Sequence, residues 1–531
     1  MDDSGRGEFL RFLRKPVNFR PILFCALSFG VGIFFFGRFA AKGALAAVFA
    51  FVAVLAAICV ALPFCIGRRR KVYLITSAFC LAFVALGLLA ADIAFKKYLG
   101  GRFETDGYFV SGEVESVYEN DGKYFATLKN CKYNGKSGGK FYFRYAPPEL
   151  EKYDIVEVVC NAAPADAFKG SGLSSNVIYG RAMISAGVNY YRIVGKSDKF
   201  YAGFAGFTDR ILSEGFDREE YAVARALLRG DTDEMGEAID FYRLSGIAHV
   251  FAVSGMHVGL VFAAFTMIFK PIRIRKIYKS LAISCLLFVY AYLCGMTASS
   301  VRAAGGGCGG CWGFWGSSVR AAVMCSVAAL VGSVGEKKDR VNAIAFAFVV
   351  VLVLNPFDLF RAGFVLSFAV SFAIIVFSRQ ISDKLSFMPT FLRDSLSVMI
   401  SASSVSVPLC VIYFGAFPLA SFISNLIVVP LVSVSFYTLW LGLAISAILP
   451  INRLIAFFVP GNLLHLSTAL CKVFANFPLS ISGFPTIFAV VYFAALLSVA
   501  ETVNTGKRLR FASCGYVVLS LVLLSCLSFV L

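Results

Sequence analysis

The chain has 531 residues, of which 58% are hydrophobic and 15% are charged, and its mean hydropathy is +0.76. Soluble domains carry about 25% charged residues, so this composition excludes a water-soluble protein of this size and predicts an integral membrane protein. The 15 cysteines are too few for a secreted disulfide scaffold, in which Cys exceeds about 8%. The net charge of +18 has two explanations: basic cytoplasmic loops or a polyanionic partner.

Residues 1–97 are predicted to form an N-terminal membrane segment of about three helices, since a span needs about 20 apolar residues. The apolar runs cover residues 21–36, 44–66 and 72–94. Basic residues precede the first run, and the block Arg68–Lys71 separates the second from the third. Because Lys and Arg accumulate on the cytoplasmic side, the N-terminus is expected inside and residue 100 outside.

Residues 101–195 are predicted to form a small β-barrel-like domain outside the membrane. Short alternating segments rich in Tyr, Phe and Val are separated by turn pairs such as Asn134-Gly135, which is typical of β-hairpins. The predicted strands are Phe109–Tyr118, Tyr124–Lys129, Gly139–Arg144 and Asp154–Cys160. Cys131 and Cys160 are the two cysteines of this region. The sequence leaves open whether they form a disulfide, as an oxidising compartment would allow, or remain two thiols.

Cations and aromatic residues alternate in the middle of this domain. Candidate nucleic-acid-binding residues are Lys129, Lys132, Lys136, Lys140, Arg144, Tyr124 and Tyr142. Cations that follow a backbone and aromatic rings that stack on bases are what single-strand binding requires. The alternative is an ordinary β core with a solvated basic face, because alternation places about half of the rings inside.

Residues 196–245 are predicted to form amphipathic interfacial helices, and residues 246–531 a multi-helix channel domain. The predicted spans of that domain are 247–269, 280–296, 318–334, 341–354, 362–378, 395–414, 419–449, 454–474, 484–500 and 511–530. This order places five basic loops on the inside, which explains much of the net charge by topology. The fold class is therefore a polytopic α-helical membrane protein of about 13 transmembrane helices with an inserted extracytoplasmic β domain.

Two of the three histidines lie in one polar segment, residues 245–260. On a continuous helix His249, Val253 and His257 share one side, whereas Ser254-Gly255 favours a broken helix that lines a cavity. Polar groups at membrane depth usually face a bundle interior or a water-filled path. Hydrogen bonding between helices, a translocation path and a Ser/His hydrolase are the three interpretations, and the third lacks an orienting acid and an oxyanion hole.

Further polar residues fall near the ends and middles of later spans. Ser-Ser-Val-Arg-Ala-Ala occurs twice, at residues 299–304 and 317–322, which indicates a tandem insertion or a sequence error. Arg302 and Arg320 are each either a phosphate contact or an interfacial residue that extends its charge to water. Ser367 and Asn425 are candidates for the path, with capping and packing as the alternative.

These motifs, in this order, resemble the ComEC family of bacterial competence proteins over roughly residues 20–530. The resemblance is carried by residues 227–231 (LLRGD), residues 249–260 (HVFAVSGMHVGL), the Ser-Ser-Val-Arg-Ala-Ala repeat, Asn355-Pro356 to Phe368, and Phe417-Pro418 to Pro430. It implies an inner-membrane channel for single-stranded DNA during natural transformation, with an oligonucleotide-binding (OB-like) external domain. The path would contain His249, Ser254, Gly255, His257, Arg302, Arg320, Ser367 and Asn425.

The chain departs from longer members of that family, which carry a metallo-β-lactamase-like nuclease domain. No HxHxDH-type cluster and no P-loop occur in the sequence, so we expect a channel without nuclease or ATPase activity of its own, and with no cofactor and no metal. The expected partners are single-stranded DNA, membrane lipids, an external DNA receptor, a separate nuclease, cytoplasmic DNA-handling or motor proteins, and a second copy of the chain. A small-solute or lipid transporter with broken helices is the main alternative.

Overall fold

The computed structural model describes most of the chain, with gaps. The described residues are 21–39, 70–100, 108–120, 123–133, 136–137, 140–169, 172–179, 181–197, 200–232, 234–251, 255–294, 317–334, 340–449, 453–477, 480–482 and 486–499. The predicted spans 44–66 and 511–530, together with Ser254 and Arg302, lie outside them.

Long apolar helices dominate the structure, and within the described ranges seven are long and apolar enough to cross a membrane. The N-terminal pair is α1 (Pro21–Phe39) and α2 (Arg70–Gly100). This finding supports a multi-pass membrane protein. Helices suit that role because every backbone polar group is satisfied within the segment, which a hydrocarbon environment demands.

The β domain follows α2 and contains the strands β1 (Tyr108–Asn120), β2 (Lys123–Tyr133), β3 (Lys136–Ser137), β4 (Lys140–Arg144), β5 (Asp154–Pro164), β6 (Phe168–Lys169), β7 (Gly172–Leu173) and, after the short helix α3 (Ser175–Tyr179), β8 (Arg181–Lys196). The order β1-β5-β8-β4-β2, with β1 also paired to β2, joins five strands in a closed ring. The strand pair β4–β8 is parallel, and the other four pairs are antiparallel.

The inside of this ring is apolar, as period-2 alternation requires. Phe141 and Phe143 are fully buried with their rings 4.7 Å apart, and Leu128 and Val156 are buried beside them. The four predicted strands are present; β1, β2 and β5 are longer than predicted, and β4 begins at Lys140, one residue after the predicted start. The sequence analysis did not identify β8, which crosses the ring beside both β5 and β4.

Three helices connect the β domain to the second membrane block: α4 (Phe200–Ser213), α5 (Arg218–Arg229) and α6 (Ala238–Leu244). Their apolar sides pack on the membrane helices that follow. The Phe216 and Phe457 rings lie 4.9 Å apart, and the Tyr242 hydroxyl is 2.9 Å from Thr468 Oγ1. These helices are therefore part of the bundle's packing, which the prediction of interfacial helices did not anticipate.

The second membrane block closely follows the predicted spans. It contains α7 (Gly255–Phe269), α8 (Lys276–Leu293), α9 (Ser317–Val334), α10 (Arg340–Leu354), α11 (Ala362–Lys384), α12 (Thr390–Phe414), α13 (Ser421–Ile448), α14 (Arg453–Ala475) and α15 (Thr486–Val499), with β9 (Ala416–Pro418) and β10 (Ser480–Ser482) paired between them. One boundary differs in kind from the prediction. The predicted span 247–269 begins as a helix only at Gly255, after a separate 3₁₀ turn at Ala248–Val250.

Candidate membrane path and nucleic-acid face

The polar segment around residue 250 forms a tight turn against the start of α13. Gly246 has a φ of +78°, and a Cβ there would collide with the Ser421 side chain, so this position requires glycine. The Ser424 hydroxyl donates to the Ser245 carbonyl at 2.6 Å. The structure therefore brings together two motifs that lie about 180 residues apart in the chain.

His249 and His257 lie on different elements, which agrees with the broken-helix alternative and not with one face of a continuous helix. His249 is exposed in the 3₁₀ turn, with its Nδ1 3.2 Å from the Gly246 carbonyl. His257 is fully buried in the first turn of α7, and its ring lies edge-on to Phe436 of α13, with the centroids 5.0 Å apart. A broken helix at membrane depth is tolerated where its freed backbone lines a cavity or is buried in protein.

Helices α7 and α13 make polar contacts along their shared seam. The Tyr437 hydroxyl donates to the Leu260 carbonyl at 2.9 Å, and Ser433 Oγ lies 3.9 Å from Met256 Sδ. Asn425 Nδ2 donates to Ser421 Oγ at 3.4 Å, while no described residue hydrogen-bonds its buried Oδ1. Among the predicted path residues, His257 thus belongs to this seam, while Gly255 begins α7 and Asn425 lies near the start of α13.

Arg320 belongs to a second polar cluster, formed by the start of α9 and the turn before α11. Arg361 Nη1 pairs with Asp358 Oδ1 at 2.5 Å, and Asn355 Nδ2 donates to the same oxygen at 2.9 Å. Arg320 is buried, and its Nη2 lies 3.3 Å from where a Cβ on Gly363 would stand, so glycine provides the space for the guanidinium. Ser367 is half-buried on α11.

This cluster lies directly beneath the β domain. Arg361 Nη2 donates to the carbonyl of Ile178, in the helix α3 that precedes β8, at 2.7 Å. Asp358 is fully buried and Arg361 is nine-tenths buried. Asp358 and Arg361 were named from the sequence only as part of the motif from Asn355-Pro356 to Phe368, although their i, i+3 spacing was a usable signal.

The candidate cations of the β domain divide into buried and exposed groups. Lys129 pairs with Glu113 at 3.2 Å, and Lys140 pairs with Glu115 at 2.7 Å; both side chains are largely buried. Lys132 and Arg144 are exposed, and Tyr124 is half-buried. The side chain of Lys136 is outside the described residues. The expectation that all five cations share one solvated face therefore needs correction, because carboxylates of β1 hold Lys129 and Lys140 against the barrel.

Burial changes the acid–base behaviour of Lys140. Removal from water lowers the pKa of its ammonium group to about 8, although the Glu115 carboxylate opposes this change, and the Arg361 charge lowers the pKa further. Lys140 also pairs in register with Arg181 of β8. The buried end of β4 is therefore electrostatically coupled to the membrane helices.

The outer surface of β2 and β4 carries a row of aromatic rings and cations that becomes more exposed toward one end. Tyr142 is buried under the Arg181 guanidinium, 4.0 Å from its ring centroid, and stacks on Phe125 at 6.2 Å. Phe125 lies 6.4 Å from Tyr145, which is 53% exposed. Lys123 Nζ lies 5.4 Å from the Tyr145 ring centroid. We call Lys123, Phe125, Arg144 and Tyr145 the open end of this face.

Tyr145 has an unusual backbone conformation for a bulky residue. Its φ is +58°, in the left-handed region that non-glycine residues seldom occupy. Such positions persist where the surrounding structure holds them, and they concentrate at functional sites. The backbone thus directs a large ring toward solvent beside two cations.

Cys131 and Cys160 are both buried in the barrel, and the structure does not join them in a disulfide. Cys131 is on β2 beside Gly112, whereas Cys160 pairs with Tyr108 on the far side of β1. Two strand spacings are about 10 Å, which exceeds the Cα separation of about 7 Å that a disulfide spans. Burial also raises the pKa of the Cys160 thiol to about 11.

A buried ion network at residues 229–231 was not identified as a site from the sequence. Asp231 pairs with Lys152 of the β domain, and its Oδ2 is 3.4 Å from Arg229 Nε. Arg229 also pairs with Asp209 at 2.6 Å. Burial alone would raise the pKa of Asp231, but the charges of Lys152, Arg229 and Arg225 outweigh it and lower that pKa. The Arg-Gly-Asp sequence after an amphipathic helix was the available signal.

Comparison with known proteins identifies the membrane block. A family model described as "Competence protein" matches residues 227–307 and 310–504, just over half of the chain. The chain belongs to the ComEC family of competence proteins. The matched residues run from the end of α5 to just beyond α15 and include both polar clusters, and the break at residues 308–309 lies between the two copies of Ser-Ser-Val-Arg-Ala-Ala.

A curated ComEC relative supports this membership. ComE operon protein 3 of Bacillus subtilis (strain 168) is 30% identical over 218 residues, which are 41% of this chain and 24% of the relative. The match thus spans about a quarter of the length of that relative. No solved structure matches the chain.

Proposed function

We propose that this ComEC-family protein is a channel that takes up single-stranded DNA across the cytoplasmic membrane during competence. The observation that carries the proposal is that the competence family match covers the helices holding both polar clusters. The N-terminus would be cytoplasmic and the β domain extracytoplasmic, in agreement with the basic loops of the sequence. About 13 spans remain the proposed total.

The β domain would be an OB-like barrel that receives the incoming strand. A five-stranded ring with one parallel pair is compatible with that fold, whose members bind oligonucleotides. The open end at Lys123, Phe125, Arg144 and Tyr145 offers cations for phosphates and a ring for base stacking. This assignment adds Lys123 to the cations that alternate with aromatic residues in the sequence, Phe125 and Tyr145 among them, and it retains Lys132 as an exposed cation.

Within the membrane, the seam between α7 and α13 would line part of the path. Its polar groups include Ser433, Tyr437 and the buried His257, and Asn425 would extend the path from the start of α13. A conduction path must bind its ion strongly enough to admit it and weakly enough to release it. Neutral hydrogen-bonding groups meet both requirements for a polyanion. An external receptor, a separate nuclease and a cytoplasmic motor remain proposed partners.

The uptake experiment uses a competent strain in which the chain's gene is deleted and restored. Labelled duplex DNA is supplied, and internalised single strands are counted. Loss of internal label on deletion, with recovery on restoring the chain, is expected. Normal uptake by the deletion strain would contradict the channel, and loss of a small solute's uptake instead would favour the transporter alternative.

The binding experiment tests the open end of the barrel with a matched control. Tyr145→Ser and Tyr190→Ser each remove an exposed tyrosine of the same domain, and Tyr190 lies on β8, away from the β2–β4 face. Because one base–aromatic stack contributes about 1–3 kcal/mol, Tyr145→Ser should weaken binding of labelled oligo(dT) to the solubilised chain about tenfold. Tyr190→Ser should bind as the wild type does, and Tyr145→Phe should retain binding.

A further inference from the structure

Four cations from two parts of the molecule converge where the β domain meets the membrane helices. Lys140 and Arg181 come from the barrel and pair in register between β4 and β8. Arg361 and Arg320 come from the turn before α11 and from the start of α9. We call these four residues, with Glu115 and Asp358, the junction.

Hydrogen bonds and space define where the junction lies. Arg361 reaches the carbonyl of Ile178, three residues before Arg181 in the chain. Arg320 occupies the space that Gly363 leaves open. Tyr98, near the end of α2, donates to the Arg181 carbonyl at 2.8 Å and so fixes this strand end against the membrane helices.

The junction is buried, which makes its charge balance important. Each of the four cationic residues is more than nine-tenths buried. Like charges that are held together away from water destabilise one another, and a buried charge is tolerated only when it is paired. Asp358 and Glu115 supply internal negative charge, and Asp358 pairs with Arg361 and interacts electrostatically with Arg320.

The junction also continues the aromatic face of the barrel. From the open end, the row Tyr145, Phe125, Tyr142 leads to Arg181, which covers the Tyr142 ring. Phosphate groups favour arginine because the guanidinium presents paired donors in one plane. A strand that follows this row would meet Arg181 and then the two membrane arginines.

We propose that the junction binds phosphodiester groups of single-stranded nucleic acid as the strand passes from the barrel to the membrane helices, with Asp358 as the internal anion that phosphate replaces. The proposal rests on the proposed function and deepens it. When no strand is bound, Asp358 compensates the positive charge of the arginines. The β domain must shift slightly to admit the strand. Arg320 and Arg361 therefore act as substrate-binding residues.

The first test removes positive charge and measures oligonucleotide binding to the solubilised full chain. Arg361→Gln and Arg320→Gln should each weaken oligo(dT) binding about tenfold and reduce the slope of log affinity against log salt by about 0.7. Arg192→Gln, at an exposed arginine of β8 opposite Glu157, is the matched control and should change neither value. Equal behaviour of all three variants would overturn the junction.

The second test distinguishes a phosphate site from a purely structural ion pair. Asp358→Asn removes the internal anion, so tripolyphosphate should raise the thermal unfolding midpoint of this variant by several degrees more than that of the wild type. Asp231→Asn is the control, because Asp231 is equally buried among cations at another contact of the β domain. The same tripolyphosphate response in both variants, or in neither, would refute phosphate binding at the junction.

Uptake in cells separates failure of the junction from failure of the channel. If the restored wild-type chain rescues DNA uptake and Arg361→Gln rescues it equally well, the junction is wrong and the proposed function stands. If the wild-type chain restores no uptake, the proposed function fails. Reduced uptake by Arg361→Gln but normal uptake by Arg192→Gln supports both.

Discussion

Lys140 illustrates how a single buried charge makes the stability of the β domain depend on pH. Its folded pKa is about 8, below the ordinary value of 10.5, because burial disfavours the charged form. Between these two values the unfolded chain binds more protons at this residue than the folded chain does. Stability must therefore rise with pH over that interval.

We expect the replacement Lys140→Met to remove this contribution. The wild-type chain should gain more in thermal unfolding midpoint between pH 7.5 and pH 9.5 than the variant gains, since other titrating groups affect both proteins equally. Scanning fluorimetry of the solubilised chain measures the difference. Lys132→Met is the control, because Lys132 is exposed on the same domain; an identical pH response in wild type and Lys140→Met would count against the buried lysine.

At the scale of an element, the helix pair α1–α2 depends on close backbone approach. A Cβ on Gly32 would collide with the Val84 carbonyl, and a Cβ on Gly87 would collide with the Phe29 carbonyl. Small residues that face each other let the backbones of two membrane helices approach closely. This close packing matters because lipid tails are as apolar as the side chains, so the hydrophobic effect does not drive the helices together. The two glycines thus determine the interhelical distance.

Gly87→Ala should consequently destabilise the pair, by about 1–3 kcal/mol for overpacking. Thermal unfolding of the solubilised chain should show a lower midpoint for this variant. Gly259→Ala, in α7, is the matched control because nothing described lies within 4 Å of its added Cβ. A decrease of similar size in both variants would show that replacing any helical glycine lowers the midpoint, and it would refute the close-packing explanation.

Across the whole molecule, buried charges hold the β domain at two separate places. Lys152 of the barrel pairs with Asp231 after α5, and Arg361 of the membrane block reaches α3. Buried ion pairs contribute specificity of position more reliably than net stability, because removal from water costs several kcal/mol per ion. The two contacts therefore fix the orientation of the barrel on the helices.

Removing both partners of the Lys152–Asp231 pair should cost less stability than the two single removals added together. Asp231→Asn alone should cost about 3–5 kcal/mol, as for other broken buried pairs, and the double variant with Lys152→Met should lose less than the sum of the two single variants. Limited proteolysis of the β domain and thermal unfolding measure this coupling. Strict additivity would show that the two side chains act independently.

Much of the architecture was predictable because periodicity and hydropathy are local properties. The spans near α10 to α15 agree with the sequence prediction within a few residues, since apolar length determines what crosses a bilayer. A break in the predicted span 247–269 was one of two alternatives that the sequence left open, through Ser254-Gly255. The contact of Gly246 with Ser421 of α13 could not be predicted, because no local pattern contains it.

The residue types of the candidate site could be predicted from the sequence, whereas the solvent exposure of those residues could be predicted less well. Lys129 and Lys140 alternate with aromatic residues as exposed cations of a strand do, yet both are largely buried in ion pairs with β1. Glu113 lies on the strand next to Lys129, whereas Glu115 reaches Lys140 from a strand that is not paired with β4. Cross-strand neighbours depend on register, and the bulges of β1 around Glu113 and Ser116 change it. Tyr145 became a stronger candidate only through its backbone conformation.

The sequence by itself determined that this is a membrane protein with a β domain and the motifs of a competence protein, because composition, alternation and motif order are written along the chain. Only the tertiary structure decided which polar residues meet. The contacts of Ser245 with Ser424, of Arg361 with Ile178 and of Lys152 with Asp231 join residues 79 to 183 positions apart. Such contacts depend on how helices and strands pack, and therefore on the fold as a whole.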